Sequence, residues 1–138
     1  MEVRSHCPIN YTLEHFGDKW SFLIIRDLMF KGKRHYNEFL EAGEKVSTSV
    51  LGDRLKKLEE MGIISKGEDT VKKSRIRYSL TQKGIDLLPI LLEMIIWGGL
   101  NDDLTESPKE FMDQAINQKE SLISEIRQKL IADHLSGY

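Results

Sequence analysis

Cys7 stands directly before Pro8, and a thiol at that place has chemistry open to it. Proline is favoured at the first position of a helix, so Cys7 reads as the residue capping a helix start, where the positive end of the helix dipole favours a thiolate. Arg4 and His6 bring further positive charge nearby. Such a thiolate would be a redox sensor, open to small oxidants or electrophiles. The plainer reading of a lone cysteine is a small buried apolar residue. A second set of reactive edges is polar rather than nucleophilic. Ser47, Thr48 and Ser49 open a helical pattern that continues through Asp53, Arg54, Lys56 and Lys57. Small hydroxyls at a helix start reach base edges, backbone amides there meet phosphate, and lysines further along suit phosphate. Asp53 either accepts from a cytosine amino group or pairs with Lys56 or Lys57. A third set, Lys72, Lys73, Arg75 and Arg77, is a concentrated cationic loop suited to phosphate or a minor groove. Arg75 and Arg77 are expected to share one strand face, opposite Ile76, Tyr78 and Leu80.

Other chemistries find no support. His6, His15, His35 and His134 show no ligand spacing with one another or with Cys7, so no metal site is expected. Gly-x-Ser-x-Gly, the phosphate loop and the dinucleotide fingerprint are all missing from the sequence. The expectation is a protein that is not an enzyme and carries no cofactor.

The elements that position these residues follow from periodicity and punctuation. Residues 1–6 read as a loose arm. Pro8 starts a helix that Gly17 ends, and Asp18 is the expected cap of the next, with Trp20, Leu23, Ile24, Ile25 and Leu28 inward. Gly32 breaks that helix before the basic connector Lys31 to His35. Asn37 is expected to cap a short helix with Phe39 and Leu40 inward, Gly43 to permit the turn, and Ser47 or Thr48 to cap the following helix. Leu51, Leu55 and Leu58, at i, i+4 and i+7, are its buried stripe, and Gly62 is its end. Ile63-Ile64 and the alternating run Arg75 to Leu80 then read as two strands around the cationic loop. Thr81 caps a fifth helix that Pro89 should kink. Ser107-Pro108-Lys109-Glu110 reads as a capping box opening one last helix. The fold class is therefore mainly α with a small β-wing: a winged helix-turn-helix, to which the resemblance stated below adds N- and C-terminal dimerisation helices. The expected organisation is a single domain over 1–138, with a core at 7–100 and a C-terminal helical extension at 101–138.

Composition bounds the partners. The net charge is only −2, split as +2 over residues 1–100 and −4 over 101–138, while Lys72 to Lys83 holds five basic residues and no acid. Weak overall charge with one basic loop favours a small docking surface over nonspecific coating of DNA. One cysteine precludes an intrachain disulfide and fits a reducing compartment. The start of the chain, short, charged and polar, does not read as a signal peptide. The apolar run Leu87 to Leu100 is interrupted by Pro89, Glu93, Gly98 and Gly99 and is shorter than the roughly 20 residues that span a bilayer, so no membrane partner is expected. The expected location is cytoplasmic. Two terminal helices with surplus apolar surface suggest a homodimer, with recognition helices roughly 34 Å apart, one DNA turn. The alternative is that the last helix folds back on its own domain.

Cys7-Pro8, then Gly17-Asp18-Lys19-Trp20, then Leu51-x-x-x-Leu55-Lys56-x-Leu58-Glu59-Glu60-x-Gly62-Ile63-Ile64, then Arg75-x-x-Tyr78-Ser79-Leu80-Thr81-x-x-Gly84 resembles the HxlR-type winged helix-turn-helix transcriptional regulators, a MarR-like winged-helix family. These motifs stand in that family's order from Cys7 to about Trp97. The resemblance implies a bacterial or archaeal dimeric regulator, repressor or activator, bound to a double-stranded DNA operator. It implies that the first and C-terminal helices form the dimer and that the helix from Ser47 enters the major groove with the wing alongside. Some members sense oxidants or electrophiles through a cysteine at the place of Cys7. The rival reading is a winged-helix protein-interaction module without DNA binding, which basic residues on both helix and wing disfavour, since a protein-binding face would show exposed apolar anchors.

Overall fold

A computed structural model describes residues 2–135. The chain forms two compact units, residues 1–79 and 80–138, divided near the end of the second wing strand.

In the first unit, α1 (Pro8–Phe16) starts as expected, with Cys7 at the N-cap, Pro8 in the first turn and Gly17 at the C-cap. The preceding arm is not loose, because the Arg4 guanidinium pairs with Glu14 and donates to Asn10 Oδ1 at 2.8 Å. The helix α2 (Ser21–Phe30) begins later than an Asp18 cap implies, with Trp20 at the N-cap position. Asp18 nevertheless does a cap's work from outside, its carboxylate accepting from the Trp20 and Ser21 amides and the Ser21 hydroxyl. Ile24, Ile25 and Leu28 are buried, whereas Trp20 and Leu23 are only half-buried. Gly32 follows α2 at φ 65°, a left-handed conformation that glycine adopts without a Cβ penalty.

The helix α3 (Tyr36–Leu40) is capped by His35, not Asn37. The Glu38 carboxylate takes the Arg34 and His35 amides, each at 3.0 Å, so the helix start is closed from its third residue. In the turn that follows, Lys45 rather than Gly43 takes the left-handed conformation, at φ 58°. Ser47 caps α4 (Thr48–Glu60), its hydroxyl accepting from the Val50 amide, and Leu51, Leu55 and Leu58 are buried. Burying such a leucine side chain contributes about 2 kcal/mol, so the stripe fixes which face of α4 meets solvent. Gly62 at φ 74° turns the chain into β1 (Ile64–Glu68), which pairs with β2 (Ile76–Leu80) in a two-stranded antiparallel wing. The connector joins this sheet, since the Tyr78 amide donates to the Arg34 carbonyl at 2.8 Å.

In the second unit, Thr81 caps a short α5 (Gln82–Ile85). Pro89 does not kink a continuous helix; it lies in the first turn of a new one, α6 (Leu88–Asn101), where its missing N–H costs nothing. The expected last helix is two, α7 (Lys109–Asn117) and α8 (Lys119–His134), separated at Gln118, whose φ of −135° and ψ of 44° leave the helical region. Ser107 caps nothing; Pro108 holds the N-cap position of α7, without a side-chain bond. Leu92, Ala115 and Leu122 form one buried cluster here, with Ile96, Phe111, Ile123 and Ile126 packed against it. At Gly99 a Cβ would stand 2.7 Å from Met112 Sδ, so a larger residue there would require the end of the Met112 side chain to move. Taken back to Gln82, the apolar run reaches 20 residues with mean hydropathy 1.4, long and apolar enough by composition to cross a membrane. It is instead divided into α5 and α6, and Leu88, Leu91 and Leu92 are buried. On the outer side Ile90, Met94, Trp97 and Leu100 stay exposed, Trp97 by 72%.

Candidate nucleic-acid interface

The buried stripe of α4 leaves a polar face outward. Ser47, Thr48, Ser49, Gly52, Asp53, Lys56 and Lys57 are all exposed, and Arg54 is half-buried on the flank. Tyr36 reaches the helix start, its hydroxyl donating to the Thr48 carbonyl at 3.0 Å. The start of α4 therefore exposes Ser47, Thr48 and Ser49 from a base that Tyr36 and the Ser47 cap hold in place.

The charges on this face are unequal. Arg54 is held between two carboxylates, Nε on Asp18 at 3.0 Å and Nη1 on Asp53 at 2.7 Å. Asp53 also lies 3.5 Å from Lys57 Nζ, so it pairs with Arg54 and Lys57 rather than Lys56. Lys56 has no ion-pair partner among the described residues. Asp18 thus ties α4 to the segment joining α1 and α2. Burial opposes its ionisation, but the Ser21 hydroxyl, the two amides and Arg54 together hold its carboxyl below the usual range.

In the wing, Lys72 and Lys73 are exposed and lack ion-pair partners among the described residues, as does the half-buried Arg77. Arg75 differs from them. It precedes β2 instead of sharing a strand face with Arg77, and its Nη2 lies 3.0 Å from Asp69 Oδ2. Ile76 is exposed at the strand start, while Tyr78 and Leu80 are buried.

Asp69 organises the wing loop. It is 5% exposed, and its Oδ2 accepts from the Val71 and Lys72 amides as well as Arg75. Its Oδ1 meets His35 Nε2 at 2.7 Å. The Lys72 amide, the His35 ring and then Arg75 hold this carboxyl far below the ordinary range. Neither Asp69 nor His35 stands out in the sequence as an interface residue. An Asx turn was legible in Asp69-Thr70-Val71-Lys72, since aspartate closes such turns on the amides two and three residues ahead.

Cys7 is exposed at the start of α1, which runs against the small-buried-residue reading. No cap hydrogen bond of ordinary geometry forms, yet the Asn10 and then the Ile9 amides hold the thiol below its ordinary pKa. Arg4 faces Glu14 and Asn10 and not the thiol. Among the described residues no group of three or more His, Cys, Asp or Glu side chains is placed to hold a metal ion.

Residues 15–106 match the model of the HxlR-like helix-turn-helix. The chain belongs to that family. Proteins similar to it include the HTH-type transcriptional regulator sll1512 of Synechocystis, 39% identical over 64% of this chain and 64% of the relative's length. YybR of Bacillus subtilis is 35% identical over 73% of this chain and 80% of its own. The chain thus spans just under two thirds of the Synechocystis relative. Among solved structures, the transcription factor PA1607 superposes with a TM-score of 0.67 at 30% identity, covering 76% of this chain and 72% of its own. The redox regulator HypR in its oxidised form gives 0.62 at 33%, covering 71% and 100%. Quinone-bound YodB of B. subtilis gives 0.55 at 27%, covering 70% and 99%. The family is one of transcriptional regulators, and these neighbours share the winged-helix fold.

Proposed function

We propose that this HxlR-like protein is a cytoplasmic, non-enzymatic regulator that binds double-stranded operator DNA as a homodimer, with α4 in the major groove and the wing on the adjacent backbone or minor groove. The observation that carries this reading is the outward face of α4, where the hydroxyls of Ser47, Thr48 and Ser49 and the cations Lys56 and Lys57 are exposed and no large apolar side chain stands among them. A protein-docking face would present such anchors. Thr48 and Ser49 are assigned to base edges; Lys56, Lys72, Lys73 and Arg77 to phosphate; Arg54, Asp53, Lys57 and Arg75 to holding the surface in shape.

The homodimer is supported by apolar side chains that neither unit buries. On α1 Ile9 is 73% and Leu13 53% exposed; on α6 they are Ile90, Met94, Trp97 and Leu100. Cys7 is proposed as the thiol that receives a small electrophile or oxidant, supported by its exposure, its lowered pKa and the likeness to the redox regulator HypR and to quinone-bound YodB. No metal or cofactor enters this reading. Selecting duplexes from a random pool with the purified protein, and weighing the complex by light scattering, tests it. Enrichment of a two-fold symmetric sequence bound by two chains is expected; no enrichment over bulk duplex would overturn it.

A further inference from the structure

The tip of the wing carries an apolar side chain that the fold does not use. Val71 is 89% exposed, the most exposed of the large apolar side chains among the described residues, and Ile76 at the start of β2 is 48% exposed. The hairpin around them is cationic, with Lys66, Lys72, Lys73 and Arg75 exposed and Arg77 half-buried. Holding Val71 in water forgoes the stabilisation that burying it would contribute. Nor does the turn call for valine, a residue type that turns do not favour.

The backbone under Val71 is fixed. Asp69 Oδ2 accepts from the Val71 amide at 3.1 Å and from the Lys72 amide at 2.9 Å. Two further bonds close the loop, from the Asp69 amide to the Arg75 carbonyl at 3.0 Å and from the Arg75 amide to the Lys72 carbonyl at 2.9 Å. A β-branched side chain is itself stiff at χ1. Val71 is therefore presented to solvent with little freedom left to lose, and that favours its burial against a partner.

The neighbours decide the kind of partner. A protein-binding hot spot gathers tryptophan, tyrosine and arginine, is poor in valine, and lies in a surface depleted of lysine. Here the valine stands beside two lysines, and no aromatic residue occurs between Ile64 and Arg77. Duplex DNA fits both features: the phosphates that border the minor groove take the lysines, and the sugars and base edges inside take the methyl groups. Proteins that bind in this groove commonly push an apolar wedge between base steps and kink the duplex. We propose that Val71 is such a wedge, entering the minor groove with Lys72 and Lys73 on the flanking phosphates, so that the wing adds sequence preference through the ease of opening a base step. This rests on the DNA-binding reading above, which left the wing on the backbone or in the minor groove, and it chooses the groove. Pyrimidine–purine steps, TA and CA/TG, kink most easily and are the steps expected beneath the wing.

The test compares wild type with Val71→Ser, which keeps the loop's hydrogen bonds but removes the apolar surface, and with Val71→Leu, which keeps that surface. Because the side chain is exposed, neither change should disturb the fold. Selection from a random duplex pool should enrich pyrimidine–purine steps at a fixed distance from each half-site for wild type and Val71→Leu. Val71→Ser should lose that enrichment while the bases beneath α4 stay the same. Energy transfer between dyes on the ends of the wild-type duplex should report a bend that Val71→Ser reduces. Affinity of Val71→Ser for that duplex should fall about fivefold or more, the scale of one unfavourable base pair, with the salt slope unchanged. A bend and step preference that survive in Val71→Ser, or an unbent duplex in the wild-type complex, overturn the wedge and leave the DNA reading standing. No enriched duplex for wild type or either variant overturns both.

Discussion

The cations that neutralise DNA phosphate should be those the fold leaves without a carboxylate, and this can be measured as a salt slope. Eight cationic side chains lie on α4 and the wing: Arg54, Lys56, Lys57, Lys66, Lys72, Lys73, Arg75 and Arg77, of which Lys66 lies 3.7 Å from Glu59. Arg54 is engaged by Asp18 and Asp53, Lys57 lies 3.5 Å from Asp53, and Arg75 is bound to Asp69. Lys56, Lys72, Lys73 and Arg77 remain, four per chain. In a dimer that doubles, and at about −0.9 per neutralised phosphate the logarithm of affinity should fall against the logarithm of salt with a slope near −7. Changing Lys72 and Lys73 together to Ala removes four cations from the dimer and should flatten the slope by about 3.5. Arg75→Ala should behave differently: affinity drops because Asp69 loses a partner and the wing shifts, while the slope moves by less than about one per chain. Fluorescence anisotropy of a labelled operator, titrated from roughly 50 to 200 mM salt, reads both quantities. An unchanged slope in the double variant would refute the placement of the wing on phosphate. Equal slope losses for Arg75→Ala and Lys73→Ala would refute the distinction between tied and untied cations.

Ser49→Ala should change which duplex is preferred, by about 1–3 kcal/mol for each base edge the hydroxyl reads, measured by repeating the selection; equal weakening on matched and scrambled sites would assign Ser49 to phosphate. Trp97→Asp should convert the dimer to a monomer on a sizing column without unfolding it, because the ring is 72% exposed in the single chain and a charge there is costly only at an interface. Stability should decline as acid is added below about pH 4.5. Glu44 is held down to about 2, first by its bonds from Arg26, so its contribution is present above the ordinary carboxylate range and is lost as pH falls toward 2. Arg26→Ala should shift that acid limb in thermal melts, modestly, because Glu44 is largely solvated. Diamide or a quinone should weaken operator binding by wild type but not by Cys7→Ser, since a lone thiol can form only a link between chains, a mixed disulfide or an adduct.

Local signals carried the parts of the fold that depend on near neighbours. Leu51, Leu55 and Leu58 marked the buried face of α4 because burial repeats with the helical turn, and Ser47 marked its start because a hydroxyl there meets an amide two or three residues on. The misread points are places where a distant group decided. Asn37 is a good cap by type, yet His35 holds the position because Glu38 closes the helix start and Asp69, 34 residues along the chain from His35, takes the other side of the ring. Gly43 had the conformational freedom for the turn, but Lys45 takes the left-handed conformation, an uncommon cost for a residue with a Cβ that the surrounding turn must offset.

The same limit explains the interface. Its cations could be counted from the sequence, and their concentration between Lys72 and Lys83 pointed to phosphate without a structure. Which of them are available to phosphate could not be counted, because availability depends on carboxylates brought in by the fold. Asp18 lies 36 residues before Arg54, and Asp69 sits in a loop that reads as basic overall. On the DNA-binding reading proposed above, each removes a cation from the phosphate-facing sum and turns it into a strut. A strut and a phosphate-binding lysine respond to salt by different amounts. Salt screens the exposed lysine's attraction to DNA strongly, but a buried carboxylate's hold on its arginine much less. A mutational series that compares only affinities would merge the two roles, whereas the slope separates them, so Arg54 and Arg75 belong with Asp18 and Asp69 as parts of the scaffold.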